Sequence, residues 1–174
     1  VYLMVFDPFK HQIAKANLSN KLWSTYFENS ALAADKVIFD FNSTNQHAYT
    51  VVNGNQLVAA GIATASPQAY YAGSIPNPQS IAFDATNKRV LVMSQEGSRY
   101  NVVAVGSAPT AAFVNAKTDK TAGEAAAATT LWTVPVDAIA GTFKEFNFHR
   151  TSKTFVIADE RNNNGVKRTV IQGF

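Results

Sequence analysis

The sequence contains no cysteine. That removes disulfides, thiolate zinc sites and a cysteine nucleophile together. Charge is scarce as well: 16% of the 174 residues are charged and the formal net charge is +3. The basic residues are scattered, with Lys88-Arg89 and Lys167-Arg168 the only adjacent pairs. A nucleic-acid partner needs a basic stripe or face, so none is expected. No apolar run approaches the roughly 20 residues of a membrane span, and no span is expected. Gly-x-Ser-x-Gly, Gly-x-Gly-x-x-Gly and P-loop phrases are missing, so the backbone cradles of those chemistries are missing too. His11, His47 and His149 stand far apart without carboxylates at ligand spacing, so they read as turn histidines; no metal and no cofactor is expected. The chain lacks an initiator Met and a signal peptide, and opens on the apolar run Val1-Tyr2-Leu3-Met4-Val5-Phe6. A start inside a core-grade strand points to a processed or partial chain.

What is present is apolar patterning: 47% of residues are hydrophobic, and the length suits about one domain of roughly 150 residues. Helical periodicity is weak; its best stretch runs from Lys21 to Ala34 through Leu22, Phe27 and Leu32. Strand signals are far better. Val37-Ile38-Phe39, Tyr49-Thr50-Val51-Val52, Val90-Leu91-Val92-Met93, Val102-Val103-Ala104-Val105 and Phe155-Val156-Ile157 are β-branched or aromatic runs, bounded by turn residues.

One phrase recurs: an apolar residue, Phe, then Asp or His, a polar turn, and an apolar strand. It occurs at Val5-Phe6-Asp7, Ile38-Phe39-Asp40 and Ile81-Ala82-Phe83-Asp84, and with Asn in the apolar place at Phe146-Asn147-Phe148-His149. The anchors Phe6, Phe39, Phe83 and Phe148 are spaced 33, 44 and 65 residues apart. The longest gap contains residues 107–130, an Ala- and Thr-rich stretch that reads as an inserted loop. Several strands per unit at a period near 40–45 residues is the pattern of propeller blades, which bury their faces by stacking on one another. A sandwich also gives short strands with Asn/Gly turns but requires no recurring phrase. The expected fold is therefore all-β, a β-propeller with about four blade units present in one partial domain. Asp7, Asp40 and Asp84 read as turn-capping residues. Gly54, Gly97 and Gly165 read as hairpin turns. Tyr70-Tyr71 among Pro67, Pro76 and Pro78 reads as an inter-blade loop whose rings pack. Asn17-Leu18-Ser19 and Asn42-Ser43-Thr44 are glycosylation sequons; about two are expected by chance, so Asn17 and Asn42 permit secretion without arguing for it.

Met4-Val5-Phe6-Asp7-Pro8 followed by Ala16-Asn17-Leu18-Ser19-Asn20-Lys21-Leu22-Trp23 resembles a blade of the fungal 3-carboxy-cis,cis-muconate lactonizing enzymes, the carboxymuconate cyclases. Pro78 to Arg99, Leu131 to Asp137 with Gly141-Thr142-Phe143, and Phe148 to Asn162 are similar to later blades, so the likeness covers about two thirds of the chain. It implies a seven-bladed propeller related to the 6-phosphogluconolactonase type, of which about three blades would be missing here. It also implies a basic site for a polycarboxylate, with a His for proton transfer, two Arg and a Glu. Carried over by position, the His slot falls on Tyr2, one Arg on Gln79, the Glu on Gln95 beside Glu96, and the last Arg on Glu160 or Arg161. A second alignment, placing 35–61 at the middle blade, gives Lys36 and Asn53 instead. Either way most of the set is absent. Gln79 has no guanidinium fork for a carboxylate, and a Tyr is a poor proton carrier near neutrality.

The resemblance therefore leads to a cyclase-like propeller without the family's catalytic set, a secreted or cell-surface binding protein. Its partner would be a small anionic molecule or a surface glycan. Two alternatives stand beside it. One is an active lactonizing enzyme or lactonase, cytoplasmic, with part of its site outside this chain. The other is an all-β structural protein such as a virion component.

Overall fold

A computed structural model describes residues 2–32, 38–42, 47–61, 68–69, 75–87, 89–105, 128–135, 138–149 and 151–174. They form four antiparallel meanders in chain order. Sheet 1 is β1 (Tyr2–Asp7), β2 (Gln12–Asn17) and β3 (Leu22–Glu28). Sheet 2 is β4 (Phe39–Asn42), β5 (His47–Val52), β6 (Gln56–Gly61) and β7 (Gln68–Ala69). Sheet 3 is β8 (Pro78–Asp84), β9 (Arg89–Glu96), β10 (Arg99–Val105) and β11 (Ala128–Thr133). Sheet 4 is β12 (Thr142–His149), β13 (Thr154–Asn163) and β14 (Val166–Gly173). Each is an up-and-down unit in which sequence neighbours pair, which is the construction of a propeller blade. Of the stretch 107–130, residues 107–127 lie outside the described residues and 128–130 open β11. Tyr70 and Tyr71 also lie outside them.

Of the stretch from Lys21 to Ala34, the described residues, Lys21 to Leu32, are not a helix. Leu22–Glu28 is strand β3, and a bulge at Tyr26 opposite Ile13 and Ala14 adds a residue that breaks the period-two signal.

The sheets cohere through three apolar layers. Ile13 and Phe27 of sheet 1 cluster with Ala48, Val52 and Val58 of sheet 2, and Tyr26 meets Phe41 edge-on at 5.7 Å. Tyr49, Val51 and Leu57 of sheet 2 cluster with Ile81, Phe83, Val90, Val92 and Val105 of sheet 3. Leu91, Met93, Val102 and Ala104 of sheet 3 cluster with Phe146, Phe148 and Ile157 of sheet 4. Strand side chains alternate faces. So β9, fully buried from Val90 to Met93, sends Val90 and Val92 one way and Leu91 and Met93 the other. That explains why its sequence is a continuous apolar run rather than an alternation.

The register corrects one anchor. Asp7 pairs with Gln12, Asp84 with Arg89 and His149 with Thr154, each across a four-residue turn. In sheet 2 the matching pair is Asn42 with His47. The equivalent of Phe6, Phe83 and Phe148 is therefore Phe41, not Phe39. A displacement of two residues keeps the same face, so period-two patterning could not reveal it.

Two of the corner residues are turn caps, as expected. Asp7 Oδ1 accepts from the Phe9 and Lys10 amides at 3.0 and 3.2 Å. Asp84 Oδ1 accepts from the Thr86 and Asn87 amides, both at 3.2 Å. His149 takes the same part with Nδ1, which accepts from the Ser152 amide at 3.3 Å. Asp40 does something else. Its Oδ1 accepts from the Phe41 amide at 2.7 Å and its Oδ2 from the Phe83 amide at 2.6 Å, tying β4 to β8 of the next sheet.

Candidate functional site

The first strands of sheets 2, 3 and 4 line one cavity of about 820 Å³. β4 contributes Phe39 and Asp40, β8 contributes Gln79, Ser80 and Ile81, and β12 contributes the run from Lys144 to His149. Alternation sets the lining of β12: Glu145, Asn147 and His149 share one face, while Phe146 and Phe148 turn into the layer against sheet 3. Thr151 and Val156 complete the wall. Ser80 Oγ donates to the Phe146 carbonyl at 3.1 Å, joining β8 to β12 behind the cavity. Asn147 Oδ1 accepts from the Phe148 amide at 2.7 Å, just as Asp40, its counterpart in sheet 2, holds Phe41.

Two of the positions carried over from the resemblance recur at matching register in sheets 3 and 4, near the start of the first strand and toward the end of the second. Gln79 is a bulge residue, unpaired between Pro78 and Ser80. Lys144 is the same bulge in β12, unpaired between Phe143 and Glu145. Gln95 and Glu160 hold the matching place at the end of β9 and within β13, each six residues after the strand's first. Gln79 Nε2 donates to the Asn77 carbonyl at 2.9 Å and reaches Gln95 Oε1 at 3.5 Å. Gln95 Oε1 also accepts from Asn77 Nδ2 at 3.1 Å. In sheet 4 the same pair is ionic: Lys144 Nζ lies 3.6 Å from Glu160 Oε2, and Lys167 Nζ lies 3.1 Å from Oε1. The Lys167 hydrogen bond and the two ammonium charges outweigh partial desolvation and hold Glu160 below the ordinary carboxylate range. It therefore stays ionised at neutral pH.

The structure thus brings Gln79 together with Gln95, and Gln79 with the cavity. Gln95, Glu160 and Arg161 do not line it. Arg161 turns from Glu160 to Asp159, with Nε 2.8 Å from Oδ2, and reaches the Ala138 carbonyl at 3.5 Å. The Asp159 hydrogen bond, against some desolvation, raises its pKa. Asp159 is fully buried and also accepts from the Gly141 amide at 3.0 Å. This cluster fixes the segment that enters β12. Tyr2 heads β1 opposite Asn17, with no bulge; its side chain lies outside the description, as does that of Asn42. Lys36 also lies outside the described residues. Asn53 sits in the β5–β6 turn with φ 52° and donates its amide to the Ala31 carbonyl at 3.2 Å.

Asn17 opens an exposed turn, and its Oδ1 accepts from the Ser19 amide at 2.9 Å. His11 is not simply exposed: its Nδ1 lies 2.7 Å from the Leu32 carbonyl. The side chain of His47 is outside the description. Sequence reasoning missed Lys144, Glu145 and Asn147. The available signal for Lys144 was its offset of five residues before His149, matching Gln79 before Asp84. Among the described residues no three metal-ligating side chains gather, and no helix is long and apolar enough to cross a membrane.

No protein-family model matches the chain, and no curated sequence does. Solved structures do. The chain superposes on one from a nidogen/laminin complex with a TM-score of 0.60 at 12% identity, covering 98% of this chain and 60% of that one. It superposes on a 6-phosphogluconolactonase-like protein of Bacteroides uniformis with a TM-score of 0.52 at 12% identity, covering 99% and 54%. The chain thus spans a little over half the length of these matches. They establish the fold: a β-propeller of the kind that includes lactonase-like proteins, present here as four sheets.

Proposed function

We propose that the protein is a carboxymuconate-cyclase-like propeller that binds a glycan or similar polyhydroxy compound in the first-strand cavity, outside the cell, and does not lactonize. The propeller fold alone leaves enzyme and binding module equally open, so the site has to decide. The observation that carries the reading is the cavity's lining. It offers two carboxamides, two carboxylates, two hydroxyls and an imidazole beside apolar groups that include Phe39 and Ile81, with Lys144 its one permanent cation. That cation is already paired with Glu160. Such a lining suits the alternating donors and acceptors of a sugar and repels a polycarboxylate. Chemistry at carbon needs a group titrating near neutrality within reach of the substrate. Glu160 is held ionised, and Gln79 and Gln95 cannot titrate. Among the described lining residues none carries a guanidinium to clamp a carboxylate.

The test is direct. Incubated with 3-carboxy-cis,cis-muconate or with 6-phosphogluconolactone, the protein is expected to change neither faster than buffer; turnover of either overturns the non-catalytic part. A glycan array followed by calorimetry is expected to give binding that Asn147→Ala weakens about tenfold, the cost of one lost hydrogen bond to the ligand. Expression through a eukaryotic secretory pathway checks location: a glycosidase-sensitive mass on Asn17, lost in Asn17→Gln, is expected.

A further inference from the structure

We propose a second binding site, for a flat aromatic carboxylate, in the cleft between β11 and the turn that joins β12 to β13. The cleft has a volume of about 500 Å³ and is lined by Leu131, Trp132, Pro135, Lys153, Phe155 and Phe174. That volume falls in the range of small-molecule pockets, roughly 300–1,000 Å³.

Its aromatic wall is built rigidly. Trp132 stacks on Phe155 with centroids 5.4 Å apart and planes 7° from parallel, and meets Phe174 at 5.2 Å and 45°. Phe155 and Phe174 exchange backbone hydrogen bonds at 3.0 and 2.9 Å. Phe155 is braced from behind by Phe146 and Phe148, at 5.7 and 5.4 Å. The wall therefore does not collapse, yet Leu131 and Phe174 remain 39% and 41% exposed. An apolar ring placed on it gains offset stacking and removes that surface from water.

The charge selects the ligand's sign. Five of the six lining side chains are apolar, and that of Lys153 is the only charged one. Among the described residues its ammonium has no acidic partner. Its backbone is fixed, with φ 59° and its amide donating to the His149 carbonyl at 2.9 Å. A cation held at the lip of an apolar cleft is complementary to a ring that carries a carboxylate. The site is separate from the first-strand cavity and shares no lining residue with it.

The chain has two tryptophans, Trp23 and Trp132, so in Trp23→Phe the indole Nε1–H resonance reports Trp132 alone. Titration of that variant with 2-naphthoate is expected to shift the resonance saturably, together with the Lys153 and Phe155 amides. The neutral 2-naphthamide is expected to bind about fivefold more weakly, the most that an exposed charge pair ordinarily contributes. Lys153→Met should erase this preference and leave 2-naphthamide binding unchanged, while the same spectra report that the variant is folded. Absence of a saturable shift at Trp132 overturns the site. Equal binding of acid and amide, or a preference that survives Lys153→Met, overturns the carboxylate assignment.

Discussion

Three residues bear measurable consequences on their own. A Cβ built on Gly141 would overlap the Glu160 carbonyl, which is backbone paired within β13 and cannot swing aside as a flexible side chain would. Gly141→Ala should cost about 2–3 kcal/mol or more, as overpacking against fixed structure does, read from urea unfolding. Asp84 is fully buried. Burial raises its pKa, but hydrogen bonds from Asn87 and Arg89, with the Arg89 charge, more than offset this and leave it lowered. A depressed folded pKa contributes stability that is complete above the unfolded value of about 3.9 and fades as pH falls through the folded one. Unfolding free energy of the parent should therefore drop steeply below about pH 4, and Asp84→Asn should show a shallower drop from a lower plateau. His149 fills the same corner with an imidazole. His149→Asp restores the oxygen that Asp7 and Asp84 supply and should stabilise by about 0.5–1 kcal/mol, the net worth of a backbone-amide hydrogen bond. An unchanged or lower midpoint would count against that equivalence.

Between elements, Asp40 is the most informative contact, because one carboxylate serves β4 and β8 at once. Asp40→Ala should cost about 1–3 kcal/mol through the orphaned amides. Asp40→Asn should cost nearly as much, since Nδ2 would face the Phe83 amide, donor against donor. Faster hydrogen exchange at Phe83 in both variants checks this. The strands themselves were readable: β5, β9, β10 and β13 follow from their β-branched and aromatic runs. The turns at Gly54, Gly97 and Gly165 show positive φ, as their Asn-Gly and Gly-Ser settings require. What escaped, apart from the two-residue offset of the Phe41 anchor, was where a bulge added a residue. The bulge at Tyr26 disguised β3. Those at Gln79 and Lys144 hid the fact that two register positions repeat, once as a pair of amides and once as a pair of ions. Linear spacing carries no mark of an unpaired residue, so Gln79 and Gln95 were reached by resemblance and Lys144 not at all.

Across the molecule, each inner sheet serves two apolar layers, so damage to either face should be felt by the whole. Leu91→Ala and Val92→Ala empty space on opposite sides of β9. Leu91→Ala should cost about 2–5 kcal/mol and Val92→Ala somewhat less. Because the two residues are neighbours on one backbone, the double variant should depart from additivity by about 0.5 kcal/mol or more. A strand that is apolar on both faces has another property. Sliding β9 by one residue would exchange Val90 and Val92 with Leu91 and Met93 and still leave only hydrophobic groups inside, so side-chain polarity hardly opposes the slip. What opposes it is the corner at Asp84, whose four hydrogen bonds to Thr86, Asn87 and Arg89 can be made in one alignment only. In this fold a buried carboxylate acts as the index mark that tells an otherwise ambiguous strand where to stop.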